Sequence, residues 1–183
     1  MTIPQGGQDQ VSRFASAIHD RRQLYVEELT TFGQLTDAAR AATSFAMHSV
    51  QSSGEGLLGT IHLLAGILQN DDQSGAIILR QMGVDPGADG DLRKLLSSSS
   101  CKQEHLPDNS DKEREAVLFT EEASGAIQAA FREAVSMGHG YIGTEHLLLG
   151  LVSEERGSAG HLLRSQGASV PLVREGVWEF LAQ

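Results

Sequence analysis

Gly138-His139-Gly140-Tyr141-Ile142-Gly143-Thr144-Glu145-His146-Leu147-Leu148-Leu149-Gly150 decides how this chain is read. Its glycines stop one helix, and Thr144 with the apolar run behind it starts another. The same grammar occurs 84 residues earlier in Leu58-Gly59-Thr60-Ile61-His62-Leu63-Leu64-Ala65-Gly66. Extended outward, residues 35–84 align with 119–168 without a gap, and 17 of the 50 pairs are identical, which marks an internal duplication.

Both copies read as helices. In the second, Thr120 caps a helix with Glu121 and Glu122 in its first turn and a stripe of Ala123, Ile127, Ala130, Phe131 and Ala134, stopped at Gly138. Thr144 and Ser158 are expected to cap the next two helices, and Ser169 with Pro171 opens a fourth. The matching starts in the first copy are Thr36, Thr60, Ser74 and Asp85-Pro86. No stretch sustains strand-like alternation, so the expected class is all-α, with about eight helices in two four-helix repeats. The expected organisation is an extension at 1–34, repeat one at 35–96, a polar linker at 97–118 and repeat two at 119–183. Within the extension, Gln10 to Leu29 reads as a further helix carrying Phe14, Ile18, Tyr25 and Leu29.

Charge narrows the partners. The chain has 24 acidic against 14 basic residues, a net charge of −10, and every one of these segments is acidic, which disfavours nucleic acid and anionic membranes. A helical DNA-binding regulator is correspondingly disfavoured. The single cysteine, Cys101, excludes an internal disulfide or a cysteine-based zinc cluster and suits a reducing compartment. The N-terminus shows no secretory pattern, and the expected location is cytoplasmic.

The chemistry is sparse. A glycine-punctuated turn into a helix points backbone N–H groups and the positive dipole end at an anion, and Glu145 beside them adds a carboxylate for a guanidinium or ammonium group. Thr144 and Glu145 are therefore the candidate ligand-binding residues. The competing reading leaves them as a cap and a dipole complement. His62 and His146 occupy equivalent positions beside leucine pairs and read, with Thr60, as structural. His139, His146 and His161 lack metal-ligand spacing, so no metal and no cofactor are expected. Ser158 sits in no nucleophile elbow, and Cys101, four residues from His105, lies in the serine-rich linker; a small hydrolase built on either is the disfavoured alternative. No phosphate loop occurs, and no catalytic residue is assigned.

The run from Leu118-Phe119-Thr120-Glu121-Glu122-Ala123 through Gly143-Thr144-Glu145-His146 to Leu151 resembles the Clp N-terminal repeat, found as a tandem pair at the start of ClpC-type and ClpA-type AAA+ unfoldases. The first copy is a more divergent member. The resemblance implies an eight-helix, pseudo-twofold recognition domain that receives substrates and adaptors, and it extends to free-standing members without a motor. The implied partners are Clp unfoldase or protease components, their adaptors or substrates, with docking as an accessory subunit as the alternative. Some ClpC-type domains recognise phosphoarginine through the Glu of the Gly-Thr-Glu-His motif. Carried over, that implies Thr144 and Glu145 in repeat two alone, because Ile61 replaces the glutamate in repeat one.

Overall fold

The computed structural model describes residues 35–54, 56–86, 92 and 118–182. Repeat one contributes α1 (Asp37–Ser53), α2 (Thr60–Leu68) and α3 (Ser74–Gln81). Repeat two contributes α4 (Glu121–Ser136), α5 (Thr144–Ser153), α6 (Ser158–Ser165) and α7 (Val170–Leu181). The helix expected from Asp85-Pro86 falls mostly outside the described residues, as do residues 1–34, including Gln10 to Leu29, and the linker up to residue 117.

Thr36 and Thr120 cap their own helices, accepting from the Ala39 and Ala123 amides at 3.2 and 3.1 Å. Gly54 and Gly138 then turn the chain in the left-handed region at φ 72° and 77°, where a Cβ would be strained. Inside each repeat the first two helices approach closely. Gly66 on α2 faces the Ala42 carbonyl of α1, Gly150 on α5 faces the Ala126 carbonyl of α4, and a Cβ at either glycine would overlap that oxygen.

The all-α expectation needs one addition. Leu57–Leu58 (β1) pairs in parallel with Leu118–Phe119 (β2), and Leu35 forms a matching parallel bridge to Ile142. These pairings are related by the repeat offset and run between repeats, so each repeat holds the strand that leads into the other. Thr36 N donates to Ile142 O and Thr120 N to Leu58 O, both at 3.0 Å. Two-residue strands leave no alternation to read in the sequence. Behind them one apolar core draws on both repeats, with Leu58, Leu64, Ile67 and Ile78 packed into the same cluster as Leu148, Leu149, Leu151 and Leu163.

Side chains close the helix ends of repeat two. Arg164 donates to the Val152, Glu154 and Glu155 carbonyls at 2.7 to 3.0 Å, capping the end of α5. Arg174 of α7 grips Glu133 of α4 through both carboxylate oxygens at 2.8 Å.

Alanine is the better helix former, so its effect at the crowded glycine is diagnostic. Gly150→Ala is expected to destabilise by about 1–3 kcal/mol through overpacking, read as a lower urea midpoint. Gly140→Ala, at a position with open space around it, is expected to stay within about 0.5 kcal/mol.

Candidate functional site

Thr60, Thr144 and Ser158 do not cap their own helices. The N-cap residues are Gly59, Gly143 and Gly157, and Ser74 likewise follows its cap, Gln73. The backbone turns from extended to helical at the residue before each hydroxyl, which frees the hydroxyl to reach across to the other repeat. Thr144 Oγ1 accepts from Gly75 N at 3.1 Å, satisfying an orphan amide of α3. Thr60 Oγ1 accepts from Ala159 N at 3.2 Å and does the same for α6. The two repeats therefore cap each other's third helices by reciprocal bonds spanning 69 and 99 residues of sequence.

The histidines take over the local task. His146 Nδ1 accepts from Gly143 N at 3.0 Å, and His62 Nδ1 from Gly59 N at 3.1 Å, so in each copy the imidazole at the third helical position closes the helix start. Glycine, threonine and histidine thus divide one capping job between them, repeated in both copies.

Around Glu145 the two halves differ. Thr144 and His146 are wholly buried and Glu145 is 4% exposed. A proton chain runs from Gly75 N–H to Thr144 Oγ1, from the Thr144 hydroxyl to Ser74 Oγ at 2.8 Å, and from the Ser74 hydroxyl to Glu145 Oε2. In the other half the equivalent pair, Thr60 and Ser158, lie 3.3 Å apart, with Ile61 where the carboxylate would be. The glycines register the same difference. A Cβ at Gly143 would run into the Glu145 carboxylate, whereas one at Gly59 would make only ordinary contact.

The outward-facing helix start expected from the sequence is thus corrected. The beginning of α5 looks into the seam between repeats, its carboxylate is held by Ser74, and the Gly143 amide is held by His146. Burial pushes the Glu145 carboxyl up, but His146, the Ser74 hydroxyl and its own backbone N–H outweigh that and hold it below the ordinary glutamate value. Glu145 Oε1 lies 3.1 Å from His146 Nδ1. That nitrogen cannot accept from Gly143 and donate to Glu145 together. In the neutral ring it accepts from Gly143; in the imidazolium it donates to Glu145.

His146 also leads outward. Its Nε2 is 2.8 Å from His139 Nδ1, and burial, reinforced by the nearby His146 charge and opposed by Glu145, lowers the His139 pKa. With Nδ1 accepting from Gly143, a neutral His146 ring carries its proton on Nε2 and donates it to His139 Nδ1. His139 stacks on Tyr141 with centroids 5.3 Å apart and 3° between planes, and its ring lies 6.3 Å from that of Trp178. Sequence reasoning missed Ser74 as the partner of Glu145 and His139 as the partner of His146. Of the disfavoured nucleophiles, Ser158 has the Thr60 hydroxyl as its neighbour rather than an imidazole, and Cys101 lies outside the described residues. Among the described residues no group of three His, Cys, Asp or Glu side chains could hold a metal, and no helix is long and apolar enough to cross a membrane.

Thr144→Val, which strands the Gly75 amide and breaks the chain to Ser74, is expected to cost about 1–3 kcal/mol in denaturant unfolding, with Thr144→Ser recovering most of it. Because the folded Glu145 carboxyl titrates below its unfolded value, its contribution is present at pH above the ordinary value of 4.5 and is lost as pH falls through the lowered folded value. Stability measured from pH 6 downward to about pH 3 is expected to fall more steeply in the unaltered protein than in Glu145→Gln.

With the geometry in hand, comparison with known proteins places the chain. Residues 118–183 match the Clp repeat (R) N-terminal domain. The chain is similar to the negative regulator of genetic competence ClpC/MecB of Bacillus subtilis (strain 168), 29% identical over 150 residues, covering 82% of this chain and 17% of that protein. It is also similar to the chaperone protein ClpB of Oceanobacillus iheyensis, 27% identical over 150 residues with the same two coverages, 82% and 17%. It therefore spans about 17% of the length of these relatives. In fold it is similar to the N-terminal domain of the chaperone ClpD from Arabidopsis thaliana, with a TM-score of 0.56 and 24% identity over 83% of this chain and 97% of that one. The Hsp104 N-terminal domain from Candida albicans gives a TM-score of 0.57 at 15% identity, covering 81% and 91%. The match to the Clp repeat N-terminal domain thus covers residues 118–183, and the two repeats together carry the all-helical Clp N-domain fold.

Proposed function

We propose that this chain is a non-enzymatic, cytoplasmic binding module of the Clp system, which engages substrates, adaptors or other ligands of a Clp unfoldase or protease. The observation that carries this reading is the double-repeat Clp N-domain fold, whose chemically versatile side chains at the seam are bound to one another. Thr60, Thr144, Ser74, Ser158, His62 and His146 all serve helix starts or the seam itself. The reading is tested by adding the purified chain to a reconstituted Clp unfoldase–protease degrading casein. The expected result is altered degradation, with no casein cleavage by the chain alone. Unchanged degradation at saturating chain, or cleavage without the protease, contradicts it.

Phosphoarginine is the finer form of the proposal. A guanidinium suits the Glu145 carboxylate, and the start of α5 suits a phosphoryl group. The geometry sets a condition on it, because Glu145 must first leave Ser74 and His146. It also sets the stoichiometry, because Ile61 has no acceptor for a guanidinium. Calorimetric titration with free phosphoarginine is expected to give one site per chain. Glu145→Ala is expected to weaken it by about 1.5–3 kcal/mol, the range for a charge-assisted hydrogen bond. No heat with the unaltered protein removes phosphoarginine, and two sites per chain would show that Ile61 does not disable repeat one.

A further inference from the structure

We propose that the aromatic face formed by Tyr141, His139 and Trp178 is a docking surface for this chain's own N-terminal extension, specifically the stretch from Gln10 to Leu29. The face is a cluster rather than scattered apolar residues. Tyr141 is 39% exposed and Trp178 50%, the His139 ring lies 5.3 Å from that of Tyr141 and 6.3 Å from that of Trp178, and Leu181, one turn beyond Trp178 on α7, is 37% exposed. The stacked His139 and Tyr141 rings, with Trp178 beside them, offer a partner an exposed aromatic surface.

The place where the extension joins the body identifies its occupant. Leu35 bridges Ile142 in parallel, and Thr36 N is hydrogen-bonded to Ile142 O at 3.0 Å. The chain therefore enters the folded body in direct register with the residue after Tyr141. Only five residues separate Leu29 from Leu35, so Leu29 is confined within about 20 Å of that bridge even when the chain is fully extended. An attached segment held so near has a large advantage over any free partner through its effective concentration.

The composition of the stretch matches the surface. Phe14, Ile18, Tyr25 and Leu29 are spaced four, seven and four residues apart, which is helical spacing interrupted once, at Arg21-Arg22. An interruption by arginine suits a face of aromatic rings, since guanidinium groups stack on Trp and Tyr. Glu175, exposed on α7 one turn before Trp178, supplies an opposite charge. Residues 1–34 lie outside the described residues, and the proposal rests on the open face, on the anchored point of entry and on the sequence of the extension.

Trp178 is the only tryptophan in the chain, so its fluorescence reports directly on this face. Acrylamide quenching of the full chain is compared with that of a variant carrying Tyr25→Ser and Leu29→Ser, and of another carrying Arg21→Gln and Arg22→Gln. These positions precede the described residues, and far-UV circular dichroism and the urea midpoint check that the body is intact. The expected result is quenching that rises about twofold in the first variant, as a covered tryptophan becomes half-exposed, and rises less in the second. Equal quenching in all three proteins, with Trp178 accessible throughout, overturns the proposal. So does protection that disappears on dilution of the unaltered chain, which would assign the face to a second copy.

Discussion

A threonine hydroxyl that caps a helix in the other repeat is the interaction on which this molecule depends. Thr144 satisfies the start of α3 and Thr60 the start of α6. Unsatisfied amides at a buried helix start are costly, so each repeat lacks a satisfied third helix without its neighbour. The strand pairing follows the same rule, with β1 and β2 drawn from different repeats. Duplication has produced one body with a shared core rather than two joined bundles.

That reciprocity makes the asymmetry at Glu145 informative. The Thr60 seam shows that an apolar residue, Ile61, is accommodated beside a threonine–serine pair at a position where the other seam holds a carboxylate. Burying a charge is unfavourable unless it is well paired, and an apolar replacement of similar size is often neutral or stabilising. The fold alone therefore does not require a carboxylate at this position. Its hydrogen bond from Ser74 and its proximity to His146 make the burial tolerable and give the two seams different chemistry.

Local interactions were legible in the sequence, and interactions between repeats were not. Thr36 and Thr120 read correctly as caps because each hydroxyl and its amide are three residues apart. Thr144 read as a cap of the wrong helix because its amide partner is 69 residues away. The all-helical class and the internal duplication came through clearly, carried by the glycine turns and alanine stripes. The two-residue strands did not, since nothing so short has a period. The direction in which α5 begins was also hidden. A helix dipole can be inferred from one helix, but whether it meets water or another repeat depends on tertiary packing. A signal for the imidazole caps was present, because Gly-Thr-x-His recurs in both copies with histidine at the one position able to reach back to the glycine amide.

The proposed site and the seam share atoms, which would tie recognition to architecture. Any ligand that takes the Glu145 carboxylate must replace what Ser74 donates to it, and Ser74 is also hydrogen-bonded to Thr144, which caps α3. Binding there and the contact between repeats draw on the same groups. A ligand can shift such an arrangement only by as much as it favours the opened seam over the closed one. On the proposed reading, closure by Ser74 would work as a threshold. A lone cation would gain little by displacing the Ser74 hydroxyl from the carboxylate, whereas a group that carries a guanidinium for Glu145 and an anion for the start of α5 would replace both sets of interactions at once. Selectivity would then arise from the requirement for both charges, imposed by hydrogen bonds that hold the repeats together when no ligand is bound.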